Sequence, residues 1–93
     1  MPALLFEIWE DRDNGHCVEM SSVSRQHDDL RKSLSPKAVL LHTFRATADF
    51  EAFRVYHELM GWDTWKPEPD WTERHFTDDE AREQEAYLLV REP

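Results

Sequence analysis

The chain has very little cysteine and glycine, and both shortages limit what it can be. Its single cysteine, Cys17, cannot close an internal disulfide, whereas a small secreted domain usually needs several such bridges. The two glycines, Gly15 and Gly61, are too few for the usual glycine-rich phosphate loops. These shortages favour a reducing compartment and argue against the common nucleotide-binding motifs.

The sequence also lacks a long apolar run and a leader-like beginning. No stretch approaches the roughly 20 apolar residues that a membrane span requires. The segment from Met1 to Glu7 has no basic region and acids follow it at once, which is unlike a signal peptide. The sequence therefore predicts a cytoplasmic protein.

Basic residues are scarce relative to acids. The chain has 20 acidic residues against 11 basic ones and a net charge of −9. Nucleic-acid-binding proteins rely on Lys and Arg to neutralise phosphates, and docking on anionic membranes needs the same charge. The composition therefore predicts a protein partner or a second copy of the chain, with no nucleic acid and no membrane. It leaves open a solvated acidic surface or an acidic face that meets a basic partner.

Patterns typical of metal binding and catalysis are missing as well. Zinc sites usually show paired ligands at close spacing, such as His-x3-His, and the five histidines show none. They are His16, His27, His42, His57 and His75. Cys17 lies in a predicted strand rather than at a helix amino end that would stabilise a thiolate, so we expect a buried, inert thiol. The sequence predicts no metal, no cofactor and no catalytic residue, and we expect the protein not to be an enzyme.

The residues that are present predict a folded chain. A content of 40% hydrophobic residues over 93 residues suits one folded unit and exceeds what a disordered chain carries. We therefore expect residues 1–93 to form a single domain, with a long loop at 62–75 inside it.

An amino-terminal hairpin is predicted from residues 3–10 and 16–20. Asn14-Gly15 between them is a strong hairpin turn signal, because both residues tolerate positive φ. Apolar residues fall on both faces, so the alternation leaves two registers open, in which Met20 lies opposite Trp9 or Ile8.

A third strand is predicted at residues 38–45. It begins with a run, Ala38 to Leu41, that is apolar on both faces and typical of a strand inside a sheet. We expect this strand in the centre of the sheet or next to the first strand.

Three helices are predicted at 24–34, 48–60 and 77–90. In the first, Ser22 or Ser24 is the expected cap, and a stripe at helical spacing is expected to pack. That stripe consists of Val23, His27, Leu30 and Leu34.

The second and third helices carry clear boundary signals. Gly61 is placed for a left-handed residue that ends the second helix, with Trp62 folding back on it. Thr77 and Glu80 match a capping box at the start of the third. A short strand at 86–91 remains the alternative to the last turns of this helix.

The element order is β-β-α-β-α-α. This order predicts an α+β fold, a small two-layer domain in which a hairpin and one further strand carry helices mainly on one face.

Tryptophan is the one residue type in marked excess. Three of the four tryptophans, Trp62, Trp65 and Trp71, lie in the loop 62–75 with Pro67 and Pro69. Tryptophan is enriched at binding hot spots, so these three form our candidate binding surface. The alternative is structural, because a long loop is also held down by aromatics that it tucks beneath itself.

Three functions follow from these observations. The first is a small interaction or regulatory module, with a homodimer as one form, that uses the tryptophan loop or an uncovered sheet face. The second is a small-molecule binder or minor enzyme with a pocket between sheet and helices, involving His42, His57 and Tyr56. The third is an acidic mimic that occupies a basic partner protein through carboxylates of 63–85.

Overall fold

The computed structural model describes residues 1–13, 15 and 17–92, and these residues form three strands and three helices. The strands are β1 (Leu4–Asp11), β2 (Cys17–Ser22) and β3 (Val39–Ala46), and the helices are α1 (Arg25–Leu34), α2 (Asp49–Met60) and α3 (Asp78–Val90). The predicted α+β class and element order are confirmed.

The sheet has the order β2-β1-β3, with β1 antiparallel to both neighbours. Ile8 lies opposite Met20, which selects one of the two predicted registers. Gly15 has the expected positive φ of 75°, whereas Asn14 and His16 of the predicted hairpin lie outside the described residues. The third strand lies next to the first, which is one of its two predicted positions. The pairing of β1 with β3 changes register between Ile8 and Trp9 of β1.

The apolar core lies on one face of β1. Leu4, Phe6 and Ile8 alternate along the strand and are all buried, as expected when every second side chain points the same way. Phe6 stacks on Phe44 of β3 at 5.4 Å between ring centroids and meets Phe76 at 5.8 Å. Further small residues, Ala46 and Ala52, complete this cluster.

The opposite face of β1 carries Glu7 and Trp9, and α1 meets it with polar side chains. Asp28 is the buried residue of α1, at 3% exposure. The predicted apolar stripe is wrong beyond Val23, because Leu30 is 54% exposed and Leu34 65% exposed. The helix is therefore oriented by ionic contacts of Asp28 rather than by its leucines.

Capping geometry confirms three predicted boundaries, the start of α1, the end of α2 and the start of α3. The start of α2 differs, because its N-cap is Ala48, without a side-chain cap, where Thr47 or Asp49 is expected from the sequence. Ser24 caps α1 by accepting a hydrogen bond from the His27 backbone. Gly61 ends α2 at a φ of 74°, and the Trp62 N–H donates to the His57 carbonyl at 2.9 Å. Thr77 and Glu80 form the capping box of α3. This helix continues to Val90, so 86–90 is helical rather than a strand.

Gln84 of α3 joins this helix to the sheet where β2 ends. Its side-chain amide accepts from the Leu5 N–H at 2.7 Å and donates to the Leu5 and Val23 carbonyls at 3.0 and 3.1 Å. The amide thus bonds to backbone groups at the start of β1 and just after the end of β2.

The molecule is flat and exposes much surface. It measures 35 × 34 × 19 Å, with a radius of gyration of 13.9 Å where a compact chain of this length has about 12.3 Å. Its accessible surface is 6538 Å², where a compact monomer of this length exposes about 5,700 Å². Of the described helices, none has the length and apolar character that crossing a membrane would demand.

Candidate functional site

The loop between α2 and α3 is folded back by a turn at Pro69-Asp70. The Trp71 N–H donates to the Glu68 carbonyl at 3.0 Å, and Pro69 occupies the second turn position that its fixed φ favours. This turn returns Trp71 to Trp65, with 6.4 Å between ring centroids.

The far end of the loop is attached beside the start of α2. An isolated bridge pairs Ala48 with His75, and the Phe76 N–H donates to the Thr47 carbonyl at 2.9 Å. The Asp49 carboxylate also accepts from the Arg74 N–H at 3.1 Å. Because Phe76 then enters the core, both the backbone and a side chain hold the loop in place.

Two of the loop tryptophans pack directly on α2. Trp65 lies 5.3 Å from Phe50 and 5.1 Å from Phe53, measured between ring centroids. Trp62 meets Tyr56 at 5.2 Å and His57 at 5.3 Å, which confirms its predicted contact at the end of α2. Aromatic pairs in these edge-on and stacked arrangements add to the stability that area burial provides.

The tryptophans remain accessible despite these contacts. Trp62 is 47% exposed and Trp71 is 55% exposed, while Trp65 is half-buried between Trp71 and α2. Phe53 is also exposed beside Trp65. We refer to Phe53, Trp62, Trp65 and Trp71 as the aromatic surface. It combines fixed ring positions with exposed area, and preorganised aromatics of this kind bind at low entropic cost.

Carboxylates surround the aromatic surface without internal partners. Asp63, Glu68 and Asp70 are exposed and form no side-chain ion pair or hydrogen bond with any residue that the structure describes. The one base between Trp62 and Trp71 is Lys66, so this stretch is net acidic. Glu73, further along, lies 4.0 Å from Arg54. The local field therefore favours a cationic group.

No protein family, characterised protein or solved structure matches this chain.

The predicted pocket residues lie in different surroundings. Tyr56 donates its hydroxyl to the Val18 carbonyl at 3.3 Å, and burial, with the Glu19 carboxylate, raises the pKa of Tyr56. His57 packs on Trp62 and donates from Nδ1 to the Asp63 carbonyl at 3.2 Å, whereas His42 is exposed on β3. Tyr56 and His57 lie on α2, and His42 lies on the edge strand β3.

Two cavities are formed by other residues of the described chain. An open groove of about 680 Å³ runs between the start of α1 and α3, lined by Arg25, Gln26, Glu83 and Tyr87 among others. A smaller one of about 240 Å³ lies over Phe6, and neither is lined by His42, Tyr56 or His57.

The carboxylates of 63–85 are partly neutralised within the chain. Glu80 receives two hydrogen bonds from Arg74, at 2.9 and 3.1 Å, and these bonds hold its pKa below the ordinary value. Asp79 pairs with Arg82. These pairs reduce the free negative charge that an acidic mimic would offer.

The predicted burial of Cys17 is wrong. Cys17 is exposed, not buried as expected, because β2 is an edge strand and this residue starts it. In residues 1–13, 15 and 17–92, no three His, Cys, Asp or Glu side chains are grouped so that they could hold a metal ion.

A buried ionic cluster is the feature that the sequence did not reveal. Arg91 donates to both carboxylate oxygens of Glu7 at 3.0 and 2.6 Å, and to both of Asp28 at 2.8 and 3.0 Å. Tyr87 donates to Asp28 as well, and Arg31 approaches Asp28 at 3.3 Å. The cluster thus joins β1, α1 and the end of α3.

The electrostatics of this cluster are balanced. Its two carboxylates face two guanidinium groups, of Arg91 and Arg31. The hydrogen bonds that Arg91 donates to Glu7 raise the pKa of Arg91. Burial acts to raise the pKa of Asp28, but its bonds from Arg91 and Tyr87 outweigh burial and lower it. Both of these shifts favour the charged forms of Asp28 and Arg91, which suits a structural connection between β1, α1 and α3.

Proposed function

We propose that this protein is a small interaction module whose aromatic surface binds a basic segment of a partner protein. The carrying observation is that Trp62 and Trp71 are held in defined ring contacts and yet remain about half exposed. A tryptophan that served only the core would be covered. Rigid, accessible tryptophans are the side chains that most often dominate binding energy at an interface.

The charge around the aromatic surface indicates the chemistry of the partner. Asp63, Glu68 and Asp70 border the aromatic surface, and the whole chain carries −9. An indole face attracts Lys and Arg, and nearby carboxylates add to that attraction. A segment that presents basic side chains therefore fits this surface better than an acidic one, a nucleic acid or an anionic membrane. The single cysteine supports the cytoplasm as the location of this interaction.

The experiment uses a display library of random 12-residue peptides selected on the folded full-length protein. We expect enrichment of Lys or Arg, and we expect W62A and W71A each to weaken the selected peptides about 30-fold, as hot-spot residues do. Affinity should also fall as salt is added, because the charges lie at the surface.

L89A is the matched control. Leu89 is an exposed apolar residue of α3 that is not part of the aromatic surface, so its removal should leave peptide affinity unchanged. Acidic or uncharged consensus peptides, or peptides that bind W62A and W71A as well as the wild type, would rule the proposal out.

A further inference from the structure

The strand with the most interior-like sequence lies at an edge of the sheet. β3 reads Val-Leu-Leu-His-Thr-Phe-Arg-Ala and begins apolar on both faces, the pattern of a strand with neighbours on both sides. In the fold it has one neighbour, β1, and its first residues are uncovered: Val39 is 49% exposed and Leu40 is 42% exposed. A further strand beside β3 would supply the second neighbour that this pattern suits.

The outer edge of β3 offers backbone groups for such pairing. The Leu5 carbonyl accepts from the Val23 N–H, so the backbone groups of Leu5 point toward the β2 side of β1. Because backbone direction alternates along an antiparallel strand, the backbone N–H and C=O of Phe6 point toward β3. Phe44 lies opposite Phe6, so its backbone N–H and C=O point toward β1. The backbone N–H and C=O of its neighbours Thr43 and Arg45 therefore point away from β1, to the outer edge of the sheet. Within the described residues, no hydrogen bond reaches these outward groups.

The other edge of the sheet is partly closed. In β2 the Val18 carbonyl accepts from the Tyr56 hydroxyl at 3.3 Å, and the Ser22 carbonyl accepts from His27 Nδ1 at 2.7 Å. Just after the end of β3, the Phe76 N–H of the loop donates to the Thr47 carbonyl. Natural proteins cover or charge their sheet edges in this way. On β3, no described residue covers the outward groups of Thr43 and Arg45, and the one formal charge of the strand is Arg45 itself.

We infer that β3 pairs antiparallel with β3 of a second copy, forming a continuous six-stranded sheet across a two-fold axis. Charge identifies the occupant: β3 contains no acid and no proline, so two copies of a −9 chain can meet here without opposing carboxylates. The surface that the flat monomer exposes beyond the expected value is comparable to the roughly 800 Å² that each partner loses in a standard interface. This inference does not rest on the proposed peptide-binding function.

The test begins with wild-type protein, by sedimentation and residue-resolved amide exchange. We expect a concentration-dependent dimer in which Thr43 and Arg45 exchange as slowly as Phe44. On dilution to monomer, the two outer amides should become at least about tenfold faster while Phe44 stays protected by β1.

Two variants at one position complete the test. T43P removes the outward N–H and blocks pairing, and proline is tolerated where an edge N–H faces solvent; we expect a monomer with an unchanged circular dichroism spectrum. T43V keeps the N–H and a β-branched side chain and should still dimerise. W71A should leave dimerisation intact. Any one of three results would overturn the inference: a wild-type monomer at millimolar concentration, fast outer amides in the dimer, or a dimer that survives T43P.

Discussion

The two faces of the sheet are built by opposite means. On one face, Phe6, Phe44 and Phe76 pack as aromatic rings beneath α2. On the other, Glu7 and Asp28 are buried against Arg91. The aromatic chemistry continues outward to the exposed tryptophans, whereas the charges are enclosed. In this chain, burial of these side chains therefore follows from the partners that each one finds rather than from its polarity alone.

The physical reason lies in what each face has available. Apolar packing is non-directional and tolerates partial exposure, so Trp62 and Trp71 can stay half covered. Buried charges tolerate no such incompleteness, because a carboxylate away from water needs a partner for each oxygen. We therefore expect the charged face to govern stability and the aromatic surface to govern binding.

The largest effect should come from removing Arg91. R91A leaves Glu7 and Asp28 buried without their main cation, and we expect a loss of about 3–5 kcal/mol in the free energy of unfolding. Urea denaturation followed by circular dichroism measures it. R82A is the control, since Arg82 is exposed and pairs with exposed Asp79, and it should change stability by less than about 0.5 kcal/mol. Similar losses for both variants would contradict the distinction between the faces.

Acid should act on the same face with a smaller effect, because a protonated Asp28 still makes part of its contacts. The pKa of Asp28 is lowered by its bonds to Arg91 and Tyr87, although burial opposes them, so the unfolded chain takes up this proton first. The stability it contributes is fully present above its ordinary value of 3.8 and is lost as the pH falls through the lower folded value. Urea denaturation at pH 7 and pH 3 should show a smaller fall for D28N than for the wild type. Equal falls would show that Asp28 is not the titrating group.

The aromatic surface should show the smallest effects on stability. W65A removes the ring between α2 and Trp71, and we expect a loss of about 1–2 kcal/mol with the loop loosened. W71A, more exposed, should cost less than about 1 kcal/mol. Urea denaturation gives both values, and near-ultraviolet circular dichroism reports the loop. If W71A unfolded the protein, the exposed tryptophans would have to be counted as core.

Local signals predicted most of the fold. The Gly61 helix end, the Thr77–Glu80 capping box and the alternation in β1 each depend on residues close in sequence, and each is found as expected. The position of β3 beside β1 was one of two expectations. The candidate tryptophans were identified from composition and spacing, but their exposure was not.

The buried cluster could not be predicted, because its members are far apart in the chain. Arg91 is separated by 63 residues from Asp28 and by 84 from Glu7. The one signal was Glu7 itself, a charge between apolar neighbours in the strand Leu4–Asp11. In α1, amphipathic spacing predicted that Leu30 and Leu34 would pack, and distant charges decided otherwise.

The sequence by itself determined which segments form strands and helices and where they end, because alternation, caps and left-handed glycine act over a few residues. Only the tertiary structure decided which side of α1 is buried, which edge of the sheet stays open and how far the tryptophans are covered. Those outcomes depend on contacts between segments that come together only when the chain folds. The pairing of Asp28 with Arg91 outweighs the local hydrophobic spacing of α1, because an unpaired buried charge costs more free energy than an exposed leucine.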